Sequence, residues 1–219
     1  MGDERDELVG KFKELDTTSI SDALDRLGIP GGCQGILPQV PGTKAVGRAF
    51  TVRYRPCGVE KGTVGDFMDD VGPGQIIVLD NGGRTYCTVW GDIMTVYAQK
   101  RGIVGTVIDG VCRDLPRILT SQYPIFTRGR LMITGKDRVE VDGINIPVAV
   151  SGVHVRPNDI VACDDTGVVV VPQDRAQDVL KIAREIETAE QKILELLEKG
   201  VTLREARKQM GYHKLQSKR

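Results

Sequence analysis

Apolar and polar positions alternate along this chain in three textures, and each change of texture marks an element. The first fifteen residues, "MGDERDELVGKFKEL", read as an amphipathic helix. "DTTSISDALDRLGI" reads as a second helix, with Ile20, Ala23 and Leu27 on one face, Thr or Ser available as N-cap and Gly28 as the stop. "GIPGGCQGILPQVPG" is a Gly/Pro-rich connection, and "AVGRAFTVRYRP" alternates as a strand. "VEKGTVGDFMDDV" predicts a short helix, and "PGQIIVLDN" a turn running into a buried strand.

After Gly82 and Gly83 comes a helix over 91–101, then a strand over 103–108, joined by a tight turn at Gly102. "RDLPRILTSQ" predicts a short helix and "YPIFTRG" a short strand. From about Arg130 to Pro172 short β segments are broken by turn signals, Asp142-Gly143 and Pro157-Asn158-Asp159, the spacing of antiparallel hairpins. Residues 174–199 form a long amphipathic helix with Val179, Ile182, Ile186, Ala189, Ile193 and Leu196 on one stripe. The basic stretch "LREARKQMGYHKLQSKR" is expected to be a frayed, solvated terminus. With no internal repeat and no long linker, residues 1–219 read as one α/β domain. Its N-terminal helix (about 1–16) and its C-terminal helix and tail (about 174–219) are appendages.

Composition narrows the chemistry. Lys+Arg and Asp+Glu both number 30, so no net charge draws the chain to nucleic acid or to an anionic membrane. No apolar run is long enough to span a bilayer. The N-terminus resembles neither a secretory signal nor a transit peptide, and it lacks the Ser/Thr of a myristoylation signal, so a soluble cytoplasmic protein is expected. Five cysteines (33, 57, 87, 112 and 163) are odd in number and never in C-x-x-C, which points to reduced thiols. Two histidines, His154 and His213, exclude a three-His zinc site, so metal chemistry here must use oxygen ligands.

The stretch "GDIMTVYAQKRGIVGTVIDGVCRD" concentrates the candidates. A helix of eleven residues is about 16 Å long and a strand of six about 20 Å. Running antiparallel, they nearly cancel, so the strand's end returns to the helix start and Asp92 meets Arg113 and Asp114. A helix N-terminus offers backbone N–H groups and a partial positive charge to a carboxylate or phosphate. The glycines of the preceding "NGGRTYCTVW" permit close backbone approach to a ligand. Arg113 adds a planar fork for a carboxylate. Asp114 and Asp92 add hard oxygen ligands for Mg²⁺. The competing reading is that Asp92 merely caps the helix and that Arg113-Asp114 is a surface ion pair.

Other residues read as structural. Cys112, with no histidine nearby in sequence to activate it, is expected to pack. "DDTG" at 164–167 is expected to be a hairpin turn, and His154 a structural side chain in a β segment. Trp90 either lines the pocket or packs.

Asp92, twenty intervening residues, then Arg113-Asp114 resembles the D-x20-R-D pattern of the class II 4-hydroxy-4-methyl-2-oxoglutarate/4-carboxy-4-hydroxy-2-oxoadipate aldolases, a family that includes the RraA-like regulators of ribonuclease E activity. "SISDALDRLG", "AVGRAFTVRY", "PGQIIVLDN", "WGDIM", "GTVIDGVCRD" and "NDIVACDDTGVVVVP" match it too, so the resemblance runs from about residue 17 to 190. It implies an α/β/β sandwich with a long C-terminal helix, and homotrimers or hexamers with active sites at subunit interfaces. It also implies Mg²⁺, Mn²⁺ or another divalent cation at Asp114. Gly91, Asp92, Ile93, Met94 and Arg113 would contact a 2-oxo acid substrate, with Arg113 and Asp92 catalytic. A glutamate from a neighbouring subunit's C-terminal helix would contribute, and Glu185, Glu187 and Glu190 are the candidates. The implied reaction cleaves a 4-hydroxy-2-oxo acid to pyruvate, with oxaloacetate decarboxylation as a side activity. A water, metal-bound or oriented by Asp92, would take the C4 hydroxyl proton. The other class of function in the family is a non-catalytic protein that binds and inhibits a ribonuclease.

Overall fold

Parallel strands that are buried on both faces read as unbroken apolar runs, and one such run sits at the centre of this fold. The computed structural model describes residues 4–212 of the chain. Two helices, α1 (Glu4–Lys13) and α2 (Thr17–Arg26), precede a two-residue strand β1 (Leu37–Pro38) and the long strand β2 (Ala45–Pro56). After a single 3-10 turn at Asp66–Asp70 come β3 (Gln75–Thr88), α3 (Asp92–Lys100), β4 (Gly105–Cys112), α4 (Leu115–Ser121) and β5 (Ile125–Arg130). Then follow β6 (Val139–Ile144), β7 (Val148–Val150), β8 (Val153–Val155), β9 (Ile160–Asp164) and β10 (Gly167–Val171). The chain closes with α5 (Ala176–Glu198) and α6 (Leu203–Gln209).

The main sheet runs β1-β5-β4-β3-β2-β9-β10, with β6 also on β2. Strands β2, β3, β4 and β5 are mutually parallel, whereas β9 and β6 pair antiparallel with successive halves of β2, Ala45–Arg48 and Val52–Pro56. The β7–β8 hairpin forms a second β layer, packing Val148, Val150, Val153 and Val155 against Ile76, Val78 and Val107. On another face α1, α2 and α5 bury Phe12, Leu15, Ile20, Leu24, Val179 and Ile186 against β9 and β10. Each such fully buried apolar side chain contributes about 1.5–3 kcal/mol. The fold is therefore mixed α/β, with helices on one β layer and a second β layer beneath. The expected amphipathic stripe of α5 faces this core: Val179, Ile186, Ala189 and Ile193 are buried, with Ile182 and Leu196 at its margin.

Four local expectations need correction. The cap of α2 is Asp16, whose carboxylate accepts the Ser19 N–H at 2.7 Å, because Thr17 gives its own N–H and hydroxyl to Asp164 at 2.8 and 2.7 Å. Asp142-Gly143 is not a turn: it lies inside β6, where the register against β2 slips between Arg53 and Tyr54, and the chain turns at Asn145, whose φ is 54°. Gly82 and Gly83 do not border the helix start. They have φ of 58° and 68° and form a bulge inside β3, between the pairs Leu79–Ile108 and Arg84–Gly110. Finally, part of the basic tail is α6, capped by Thr202, whose hydroxyl accepts the Glu205 N–H. Its last residues, His213 among them, lie outside the described residues. The "DDTG" segment is a hairpin turn, in which Asp164 accepts the Thr166 N–H at 2.8 Å.

One carboxylate ties an outer loop to this frame. Glu140, buried on β6, accepts the Gly62 N–H at 2.7 Å and the Arg55 Nε–H at 2.9 Å. The Gly62 amide first, and then Arg55, hold its pKa below the usual glutamate value. A carboxyl whose pKa the fold lowers adds stability above its unfolded pKa and loses it as pH falls through the folded value. Wild type should therefore melt above Glu140→Gln at neutral pH, and the gap should close as the pH drops below about 4. Melting curves across pH test this, and a gap unchanged down to about pH 3 would show that the tie is not ionic.

Candidate functional site

All eight residues of β4 are buried, so the strand itself has no room for exposed chemistry, and its polar groups arrive at its carboxyl end. There the chain turns sharply. The Arg113 N–H donates to the Trp90 carbonyl at 3.1 Å, which fixes the strand end beside the residue preceding α3. Asp114 then adopts a left-handed conformation, φ 58° and ψ 36°, which Asp tolerates better than most residues. The turn at Gly102, with φ 70°, sends α3 back along β4. The helix–strand return expected from the sequence is thus present.

Asp114 and α3 meet directly. The Asp92 N–H donates to Asp114 Oδ2 at 3.2 Å, and Arg113 Nε lies 3.3 Å from the same oxygen. Asp92 Oδ1 accepts the Ile93 N–H at 2.8 Å. The first two amides of α3 are therefore engaged by side chains of the chain itself, where the sequence reading expected them to face an external anion. Gly91 makes the approach possible: a Cβ there would stand 2.5 Å from Asp114 Oδ2 and 3.3 Å from Arg113 Nε. Trp90 answers both of its readings. It is buried and stacked on Tyr123 at 6.1 Å, and it also lines the cleft. Its indole N–H donates to Thr95 Oγ1 at 2.9 Å, whose hydroxyl donates to the Gly91 carbonyl at 2.9 Å. The helix start is held from both sides.

A cleft of about 230 Å³ opens here, lined by Gly91, Asp92, Ile93, Met94, Arg113 and Asp114, so every residue carried by the motif falls in one place. It also takes in Thr88, from the stretch preceding α3, and Thr134, Gly135 and Lys136, which the sequence shows only as part of a β-rich stretch. The one available signal was Gly135, whose missing Cβ would lie 2.2 Å from the Thr88 carbonyl oxygen. A larger cavity of about 370 Å³, between α2 and β10, brings Asp22 as its only charged lining residue and no cation. Its one thiol, Cys33, is pushed up to about 12 by burial and then by Asp109.

The donor set can be tested against a metal. Among the described residues no group of three or more His, Cys, Asp or Glu gathers into a metal cage. An ion would depend on one or two carboxylates, Asp114 and Asp92, with waters and substrate oxygens, which is the coordination that suits Mg²⁺ or Mn²⁺. Asp114 is about one-third exposed, with glycine at its side, and it fits such an ion. The C-terminal glutamates lie elsewhere. Glu185 pairs with Arg26 at 3.4 Å, while Glu190 has its pKa raised by burial and then by Asp22, Asp16 and Glu187. None of the three lines this chain's own cleft. Cys112 is buried, its pKa pushed up to about 11 by that burial, as a packed thiol should be. His154 is exposed on β8 and does not line the cleft.

Comparison with known proteins places this geometry. A family model described as RraA-like, Aldolase/RraA, matches residues 17–170. DlpA of Legionella pneumophila is 38% identical over 209 residues; the match takes in 94% of this chain but 34% of DlpA, so the chain spans about a third of that protein's length. A Halalkalibacterium halodurans protein named "Putative 4-hydroxy-4-methyl-2-oxoglutarate aldolase" is 33% identical over 178 residues, 81% of this chain and 82% of that one. Among solved structures, an uncharacterized protein from Pseudomonas syringae pv. tomato superposes with a TM-score of 0.87 at 46% identity, covering 92% of this chain and 97% of that one. Streptomyces coelicolor RraAS2, described as an unusual member of the RNase ES inhibitor RraA protein family, gives a TM-score of 0.79 at 29% identity, covering 84% and 94%. The family model spans most of the chain, and both solved structures share its architecture over most of its length: this chain belongs to the RraA-like (Aldolase/RraA) family.

Proposed function

We propose that the chain is a divalent-metal-dependent aldolase that cleaves a 4-hydroxy-2-oxo acid, such as 4-hydroxy-4-methyl-2-oxoglutarate, to pyruvate and a second keto acid. The observation that carries this reading is the Asp114 carboxylate held between the Asp92 amide and Arg113, with Gly91 beside it, where a Cβ would stand 2.5 Å from the same oxygen. Several relatives bear the name of that aldolase, which supports the same reading.

Each residue has a role that follows from its chemistry. Asp114 would hold the ion, and a divalent cation bound there would supply Lewis-acid stabilisation of the charge that develops on the 2-keto oxygen as the C3–C4 bond breaks. Arg113 keeps its Nε toward Asp114, and its planar fork meets the same developing charge from a second direction. Asp92, fixed at the head of α3, orients a water that takes the C4 hydroxyl proton. Gly91, Ile93 and Met94 form the wall against which the substrate lies. Oxaloacetate decarboxylation passes through the same pyruvate enolate and is the expected side activity. The kinship with RraAS2 favours a second reading, a protein that binds and inhibits a ribonuclease. Docking on a partner makes no demand on the buried side of Gly91, so turnover separates the two.

Activity should require Mg²⁺ or Mn²⁺ and vanish with excess chelator; pyruvate release that persists in chelator would exclude a class II mechanism. Asp114→Ala should lose metal binding and turnover together. Arg113→Lys should keep metal affinity while kcat falls on the order of 10²-fold, the scale of one lost oxyanion donor, with a smaller rise in KM. Loss of metal by Arg113→Lys, in a folded protein, would reverse the two assignments.

Gly91→Ala should fold yet displace the Asp114 carboxylate, weakening Mg²⁺ binding measured by calorimetry; unchanged affinity would remove the glycine from the site. A homotrimer or hexamer is proposed as the working assembly. Ile93 and Met132 support it, being large apolar side chains exposed beside Asp92 and Arg113. Light scattering should give a trimer or a multiple of it, and full activity from a monomer would contradict a shared site.

A further inference from the structure

The connection between β5 and β6 delivers a cation to the cleft that aldol chemistry by itself does not require. Lys136 lines the cleft together with Thr134 and Gly135, and the backbone around it is pinned. Thr88 donates its N–H and its hydroxyl to the Ile133 carbonyl at 3.0 and 3.1 Å. The Lys136 N–H donates to Thr134 Oγ1 at 3.2 Å, and Arg138 donates to the Thr134 carbonyl at 3.2 Å. The acid next in sequence is already engaged: Asp137 pairs with Lys61 at 3.1 Å. Among the described residues no ion pair engages the Lys136 ammonium.

Charge then indicates what this lysine meets. The charged residues lining the cleft are Asp92, Asp114, Arg113 and Lys136, two carboxylates and two cations that cancel. A divalent ion on Asp114 would leave two positive charges in a cleft whose charged side chains, Lys136 included, reach solvent, and that field favours an anion of matching charge. A 2-oxo acid with one carboxylate neutralises only one of them. A second carboxylate on the substrate neutralises the other. Arg113 and Asp114 are committed to the 2-oxo acid end, which leaves Lys136 as the partner of the second. We infer that Lys136 is a specificity-determining residue that selects 2-oxo acids carrying a second carboxylate, an inference that rests on the 2-oxo acid site proposed at Arg113 and Asp114.

The test compares two acids of equal chain length, 2-oxoglutarate and 2-oxopentanoate, which differ in the distal carboxylate. Their binding to the Mg²⁺-loaded full chain is measured by calorimetry in wild type, Lys136→Met and Lys136→Arg. Lys136→Met should bind 2-oxoglutarate about tenfold more weakly, the scale of one lost charge-assisted hydrogen bond, and 2-oxopentanoate almost unchanged. Lys136→Arg should keep the preference. An equal loss for both acids, or no loss for either, would overturn the assignment. Pyruvate release from 4-hydroxy-4-methyl-2-oxoglutarate, measured on the same preparations, separates this inference from the aldolase reading. Turnover in wild type with a preference indifferent to Lys136 leaves the aldolase standing and removes the lysine. A Lys136-dependent preference in a protein that releases no pyruvate does the reverse.

Discussion

The hydrogen bond from the Asp92 amide to Asp114 Oδ2 joins the head of α3 to the end of β4, and the geometry of the cleft depends on it. Strand β4 is buried along its whole length, so its sequence is constrained to small and apolar residues plus Thr106 and Asp109. Functional groups can appear only where the strand leaves the sheet. Placing a carboxylate there next to an arginine would ordinarily give a collapsed surface ion pair. Here the positive end of the α3 dipole shares the carboxylate with Arg113, and the left-handed backbone at Asp114 aims it. The missing Cβ at Gly91 lets the two elements approach. Removing any one of the three features would leave the other two pointing at nothing in common.

The sequence made the return of β4 to α3 legible because helix rise, strand rise and a single glycine at residue 102 determine it, and all three are local quantities. The failures share the opposite character. Thr17 looked like a cap for α2, yet it serves Asp164, 147 positions away, and the cap passes to Asp16. Gly82-Gly83 looked like a break between elements but is a bulge within β3, set by its pairing with β4. Asp142-Gly143 has the chemistry of a hairpin turn but is overruled by pairing to β2. The Thr134–Lys136 wall was invisible for the same reason: it exists only because Thr88 anchors Ile133 across 45 residues. Local arithmetic recovered what neighbours in sequence decide, and missed what partners in space decide.

The RraA-like architecture carries relatives named for an aldolase and for ribonuclease inhibition, so the fold alone separates neither. The difference lies in what each task demands of the interior. Burial raises the pKa of four of the five thiols, Cys33, Cys87, Cys112 and Cys163, which disfavours their nucleophilic thiolate form. The cleft instead offers oxygen, guanidinium and ammonium groups, a set matched to small polyanions.

Strand β2 has a consequence for how the molecule comes apart. One of its edges is given to β3, and the other is divided between β9 at its start and β6 at its end. The helical face and the hairpin-covered face thus hang from the same backbone. Neither can open without stripping hydrogen bonds from a strand the other still needs, so partial unfolding around β2 has no intermediate stopping place. Amides of this strand should be the slowest in the chain to exchange with solvent, and their exchange should report global rather than local opening.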